Sequence, residues 1–147
     1  MNELVKKAKG ASYFPFLNDR VSIIVSSNDT NGVYSMMHWI VGPRTVAYPH
    51  VHDLYEETFY LLKGELEFQL GDESISLSER DFVRVPAGVR HGFRNQKDEE
   101  VDLLVSLSPG GMEEFFRKYQ CDVDGFDLDS YLVEAKDVHR TEYEVGS

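Results

Sequence analysis

Two histidines one position apart, His50 and His52, precede the acid pair Glu56-Glu57, and a third, His91, stands in Pro86-Ala-Gly-Val-Arg-His-Gly-Phe-Arg-Asn95. In an extended chain alternate side chains share a face, so Tyr48, His50 and His52 point one way. The same rule groups Glu57 with Phe59 and Leu61, and sets Glu56 opposite with Thr58 and Tyr60. Phe59 and Leu61 have the character of core residues, so Glu57 turns inward and Glu56 meets water. Two inward imidazoles and an inward carboxylate are not buried bare, because an unpaired carboxylate in an apolar interior costs several kcal/mol or takes up a proton. One divalent transition metal ion compensates all three groups, and a mixed imidazole and carboxylate set suits Fe, Mn, Co, Ni, Cu or Zn. His91, just after a Pro-x-Gly turn and opening a strand, supplies a further donor.

The elements that must position these groups read as short strands separated by turns. Strands are expected over Val21–Ser26, Val33–Val41, Tyr48–His52, Glu57–Leu62, Glu65–Leu70, Ser74–Leu77, Asp81–Val85, His91–Asn95 and Val101–Ser108. Asn31-Gly32 is a hairpin pair, and Lys63-Gly64 and Gly71-Asp72 mark tight turns. Glu65-Leu-Glu-Phe-Gln-Leu70 alternates strictly, as a strand with one wet face does. Many short strands spaced by turns indicate a β-sandwich or barrel. After Pro109-Gly-Gly111 the period changes. Met112, Phe115, Phe116 and Tyr119 form one helical stripe, and Leu128, Tyr131, Leu132 and Ala135 a second behind the N-cap candidate Asp127. Both stripes are read as packing against the barrel, making residues 110–138 a short helical extension. Tyr143-Glu-Val145 is a candidate last strand.

The two histidine segments resemble the paired signatures of the cupin superfamily. His50, His52, Glu57 and Gly64 fit the first signature, with four residues between His52 and Glu57 and six between Glu57 and Gly64. Pro86, Gly88, His91 and Asn95 fit the second. The resemblance implies an all-β double-stranded β-helix, or jelly roll, with the metal on the inner wall near one mouth. It also implies His50, His52, Glu57 and His91 as the four ligands, with one or two positions left for water, substrate or dioxygen. Arg44 and Arg80 depart from it, standing where the widest form of the signature has glycine, although Gly42 lies two residues before Arg44. The tail from Ser108 to Phe116 (Ser-Pro-Gly-Gly-Met-Glu-Glu-Phe-Phe) is similar to single-domain cupins of the quercetin 2,3-dioxygenase-like group. In that group a flavonol ring is opened with O₂ and the ligand glutamate acts as base, which gives Glu57 the catalytic role. Tyr48, Phe59, Met36 and Met37 are pocket-wall candidates for a small-molecule substrate.

Composition sets the outer limits. The 147 residues, with 41% hydrophobic side chains, suit a single domain spanning 1–147 with a real core. A net charge of −11 repels phosphate backbones and anionic lipid, so neither nucleic acid nor membrane is expected as a partner. The lone Cys121 forms no internal disulfide, and the N-terminal stretch has no apolar signal region, so a cytoplasmic protein is expected. Exposed strand edges favour a homodimer. The leading reading is a metal-dependent dioxygenase. The alternatives are a non-oxidative isomerase, with Arg84, Arg90 and Arg94 flanking the second motif for a phosphate, and a non-catalytic small-molecule binder. His38, beside Trp39, is read as packing against or capping the core, and His139 sits in a polar tail.

Overall fold

A computed structural model describes residues 4–120, 127, 129, 130 and 141–143. The strands are β1 (Phe14–Phe16), β2 (Asp19–Val25), β3 (Ser35–Val41), β4 (Val46–His52), β5 (Glu56–Lys63), β6 (Leu66–Leu70), β7 (Glu73–Leu77), β8 (Phe82–Val85), β9 (His91–Arg94), β10 (Val101–Ser108) and β11 (Thr141–Tyr143). A short helix, α1 (Met112–Lys118), follows β10. One antiparallel sheet runs β1-β2-β3-β10-β5-β8 and the other β11-β4-β9-β6-β7. Two facing antiparallel sheets with these crossovers make the expected jelly roll.

Alternation decides what lies between the sheets. Met37, Leu61, Phe68, Leu103 and Leu107 are fully buried, each on the inner parity of its strand. Gly64 closes the β5–β6 turn at φ +98°, and a Cβ there would meet the Val101 side chain at 3.0 Å, so the motif's glycine is required by the turn and by close packing. The β2–β3 connection is longer than a two-residue hairpin. It contains a 3₁₀ turn over Asn28–Thr30, with Asn31 and Gly32 both at positive φ.

The first helical stripe packs as the spacing requires. Met112, Phe115 and Phe116 are buried, and Phe116 meets Trp39 edge-on at 4.9 Å and Phe16 at 5.3 Å. The side chains of Leu128, Tyr131, Leu132 and Ala135 lie outside the described residues, as do Cys121 and His139. Asp127 accepts the backbone N–H of Ser130 at 3.1 Å, the bond an N-cap makes. The last strand covers Thr141–Tyr143 and adds to β4, with Thr141 opposite His52 and Tyr143 opposite His50. Glu144 and Val145 lie outside the described residues.

β1 carries no strand signal in sequence because Pro15 interrupts it. The structure puts it at the sheet edge, where a missing N–H is tolerated. Two carboxylates are buried where the sequence suggests polar surface. Asp19 accepts bonds from Trp39 Nε1 (2.8 Å), Gly42 N (2.8 Å) and Thr45 Oγ1 (3.1 Å). Glu113 accepts the backbone N–H groups of Ser27 (2.5 Å) and Gly111 (2.8 Å), fastening α1 to the β2–β3 loop.

Candidate metal centre

The five-stranded sheet delivers the imidazoles and the six-stranded sheet delivers the carboxylate. His50 and His52 lie on β4, and His91 opens β9 directly across from His50. Glu57 reaches from β5 in the facing sheet. The Pro86–Gly88 turn is tied to the ligand strand, since Gly88 N–H donates to the His52 carbonyl at 2.9 Å. Gly92 is demanded by β4 itself, because a Cβ there would meet the Ala47 carbonyl at 2.6 Å.

Within this frame the four side chains converge. Their donor atoms all lie within 4.8 Å of one another. Ring centroids stand 4.5 Å apart for His50 and His91, 4.7 Å for His50 and His52, and 5.3 Å for His52 and His91. Glu57 Oε1 lies 2.9 Å from His91 Nε2 and 3.6 Å from His52 Nε2. His52, Glu57 and His91 are buried and His50 is partly so.

Backbone carbonyls fix the ring tautomers. A carbonyl only accepts, so His50 Nδ1–H donates to the Tyr48 carbonyl (2.7 Å) and His91 Nδ1–H to the Val89 carbonyl (3.0 Å). Each ring therefore turns its Nε2 toward the cluster, the arrangement that orients and polarises a metal-binding imidazole. Burial, helped by the nearby His91 charge, pushes His50 down to about 3, so it stays neutral and its lone pair is available. Burial also disfavours the His91 cation, but the hydrogen bond and charge of Glu57 outweigh it and raise His91 above the ordinary imidazole value. The donor set, its convergence and its carbonyl supports fit a first-row transition ion.

The acid pair divides as parity requires. Glu57 faces inward, and Glu56 pairs with Arg84 at 2.6 Å on the outer face. The pocket-wall candidates divide too. Phe59 is buried with its ring 6.0 Å from His91 and 5.0 Å from Phe68. Met37 is fully buried in the core, whereas Met36 takes the opposite parity on β3 and is partly exposed.

Tyr48 does not share the face of His50. The β4–β9 register shifts between Ala47 and His50, and this bulge reverses parity across Pro49. Tyr48 is 45% exposed beside Glu67, Gln69 and Arg94 around an outer hollow, and it serves the site through its carbonyl. Arg94 lines that hollow as well, and Arg84 is held by Glu56, so neither approaches the cluster. His38 lies on the outer face of the six-stranded sheet, its Nδ1 2.6 Å from the Tyr13 hydroxyl.

Three neighbours escaped the sequence reading. Phe68 stacks on His91 at 6.4 Å, Tyr55 stands edge-on to His52 at 6.4 Å, and Phe93 lies 6.3 Å from Phe59. Phe68 and Phe93 were accessible to the same alternation, but Tyr55 sits in the β4–β5 loop and gave no signal. Asn95, the last motif residue, is structural. Its amide donates to the carbonyls of Gly42 (3.0 Å) and Glu99 (2.7 Å) and its oxygen accepts Lys97 N–H (3.1 Å). At the two departures from the signature, Arg44 and Arg80 adopt φ 60° and 73°, so both loops keep the left-handed turn that glycine would take.

Two facing antiparallel sheets with three imidazoles and one carboxylate converging between them define a jelly-roll protein with a possible metal site. The family model described as "Cupin domain" matches residues 37–107, and the chain belongs to the cupin superfamily. It is 33% identical over 98 residues to quercetin 2,3-dioxygenase of Bacillus subtilis (strain 168), a match covering 65% of this chain but 28% of that enzyme. It is 31% identical over 109 residues to an uncharacterized protein of Aquifex aeolicus (strain VF5), covering 74% of this chain and 81% of that one. Among solved structures, KdgF from Halomonas sp. superposes with a TM-score of 0.66 at 16% identity, over 74% of this chain and 94% of that one.

Proposed function

We propose that this protein is a metal-dependent dioxygenase acting on a small aromatic enol or phenol of the flavonol type. The observation that carries the reading is the buried cluster of His50, His52, Glu57 and His91, with donor atoms within 4.8 Å of one another. Similarity to the Bacillus enzyme supports the choice of reaction. The three imidazoles and Glu57 would hold the ion, which when bound supplies Lewis acidity and an electron path between the organic substrate and O₂. Glu57 has a second task. With one carboxylate oxygen against His91, its carboxylate is placed to take the proton of an entering hydroxyl, which leaves the substrate as the more readily oxidised anion. Phe59 and Phe68, packed around His91, back the cluster with apolar side chains. No helix among the described residues is long and apolar enough to cross a membrane, and a cytoplasmic location completes the proposal.

The test pairs metal analysis with oxygen uptake. Protein purified without chelator is expected to carry near-stoichiometric Fe, Mn, Co, Ni or Cu, which is lost in His52→Ala and His91→Ala. The loaded protein should consume O₂ with a panel of flavonols and catechols. Silence across that panel, or turnover that persists without oxygen, would overturn the dioxygenase reading in favour of the non-oxidative one.

A further inference from the structure

Away from the metal cluster, the outer face of the six-stranded sheet carries a second concavity of about 720 Å³, within the range of small-molecule sites. Register lines up Ser22, His38 and Leu104 across β2, β3 and β10, and Ile24 and Leu62 extend this floor at either side. The N-terminal segment forms the wall: Lys6, Lys7 and Tyr13 border the trough, and Arg117 of α1 adds a third cation to the rim. Among the described residues, three cations and no carboxylate line this trough, in a chain whose net charge is −11.

The neighbouring charges leave donors available. Lys6 Nζ gives one bond to Asp29 at 3.3 Å, and Arg117 uses Nη1 on Glu114 at 3.1 Å. Lys7 has no carboxylate partner among the described residues. Deeper in the trough, His38 Nε2 is buried with no hydrogen-bond partner among the described residues, and Asp102 lies 3.6 Å from it.

We propose that this trough is a second binding site, selective for a small amphipathic carboxylate. The carboxylate would sit among Lys6, Lys7 and Arg117, and the apolar body would cover Ile24, Leu62 and Leu104. A cationic or neutral molecule of the same shape lacks the head group that the rim recognises.

The test is a titration of the ¹⁵N-labelled full chain with sodium octanoate, followed by amide shifts, with 1-octanol and octylamine as controls. Octanoate is expected to give saturable shifts centred on Tyr13, Ile24, His38 and Leu104, with weaker or no saturation by the controls. Lys7→Glu combined with Arg117→Glu should weaken octanoate by at least about tenfold. Both residues are exposed, and an unchanged melting curve would establish that the doubly substituted chain still folds. His52→Ala should bind octanoate as the parent does, which separates this site from the proposed metal chemistry. Absence of saturation, equal response to octylamine, indifference to the charge reversals, or shifts centred on His50 and His91 would each overturn the proposal.

Discussion

At the scale of single residues, the proposed metal site sets a cation against a proton. His50 is held down to about 3 by burial and stays neutral in the folded chain near neutral pH, so it carries no proton for an entering cation to displace. His91 is raised because Glu57 stabilises its protonated form more than burial opposes it. Metal uptake must remove that proton, so affinity should climb as pH rises through the imidazole range and level off above the His91 value. Isotherms for one metal from about pH 5.5 to about pH 8 would check this, and a flat profile would contradict the assignment. Stability of the metal-free chain is a poorer readout. The raised His91 stabilises the fold below its unfolded value of 6.5 and loses that contribution as pH rises, whereas the depressed His50 withdraws stability as pH falls below 6.5. The two oppose each other. A second residue-scale prediction concerns Arg80, exposed and left-handed at φ 73°. Replacing it by glycine relieves the Cβ clash while keeping its N–H bond to the Leu61 carbonyl, and should stabilise the fold by about 1 kcal/mol in a denaturant titration. Arg44→Gly should gain less, because it also removes the Arg44–Asp98 ion pair at 2.7 Å.

At the scale of elements, parity carried the sequence reading a long way and failed where the ladder slips. Every strand from β2 to β10 was legible from alternation and turn residues, and parity alone separated Glu57 from Glu56. It misplaced Tyr48 because the β4 bulge at Pro49 is written in the closeness of Gly92 to Ala47, a contact between distant segments. It overlooked Asp19 and Glu113 for a related reason. Burial of an acid depends on donors arriving from elsewhere, and Asp19 sits 20 residues from the indole that bonds it. That bond gives the element-scale prediction. Asp19→Ala leaves the N–H groups of Trp39 and Gly42 without their acceptor at the joint of β2, β3 and the following loop, which should cost about 3 kcal/mol. Trp39 is the single tryptophan, so its emission reports the same site while chemical denaturation measures the loss. An unchanged midpoint and unchanged emission would show that water replaces the carboxylate.

At the scale of the whole molecule, charge and edges pull in opposite directions. Each chain carries −11, so two copies repel over roughly 30 Å at low salt. The six-stranded sheet nevertheless ends in β8, hydrogen-bonded on one side to β5, where Phe82 is 57% exposed and Tyr60 beside it 36%. An edge with an exposed aromatic side chain is a template for pairing unless something covers it. We propose that a second copy covers it, giving a homodimer joined through β8. Because like charge opposes the apolar contact, dimerisation should strengthen as salt is added, the reverse of an interface held by ion pairs. Sedimentation over a range of protein concentrations at low and high salt would measure this, and Phe82→Glu should shift the population to monomer and abolish the dependence of the melting temperature on protein concentration. A chain that sediments as a monomer at about 100 μM in both salts has too weak an interface to matter, since a stable dimer buries about 1,600 Å² and persists well below that concentration.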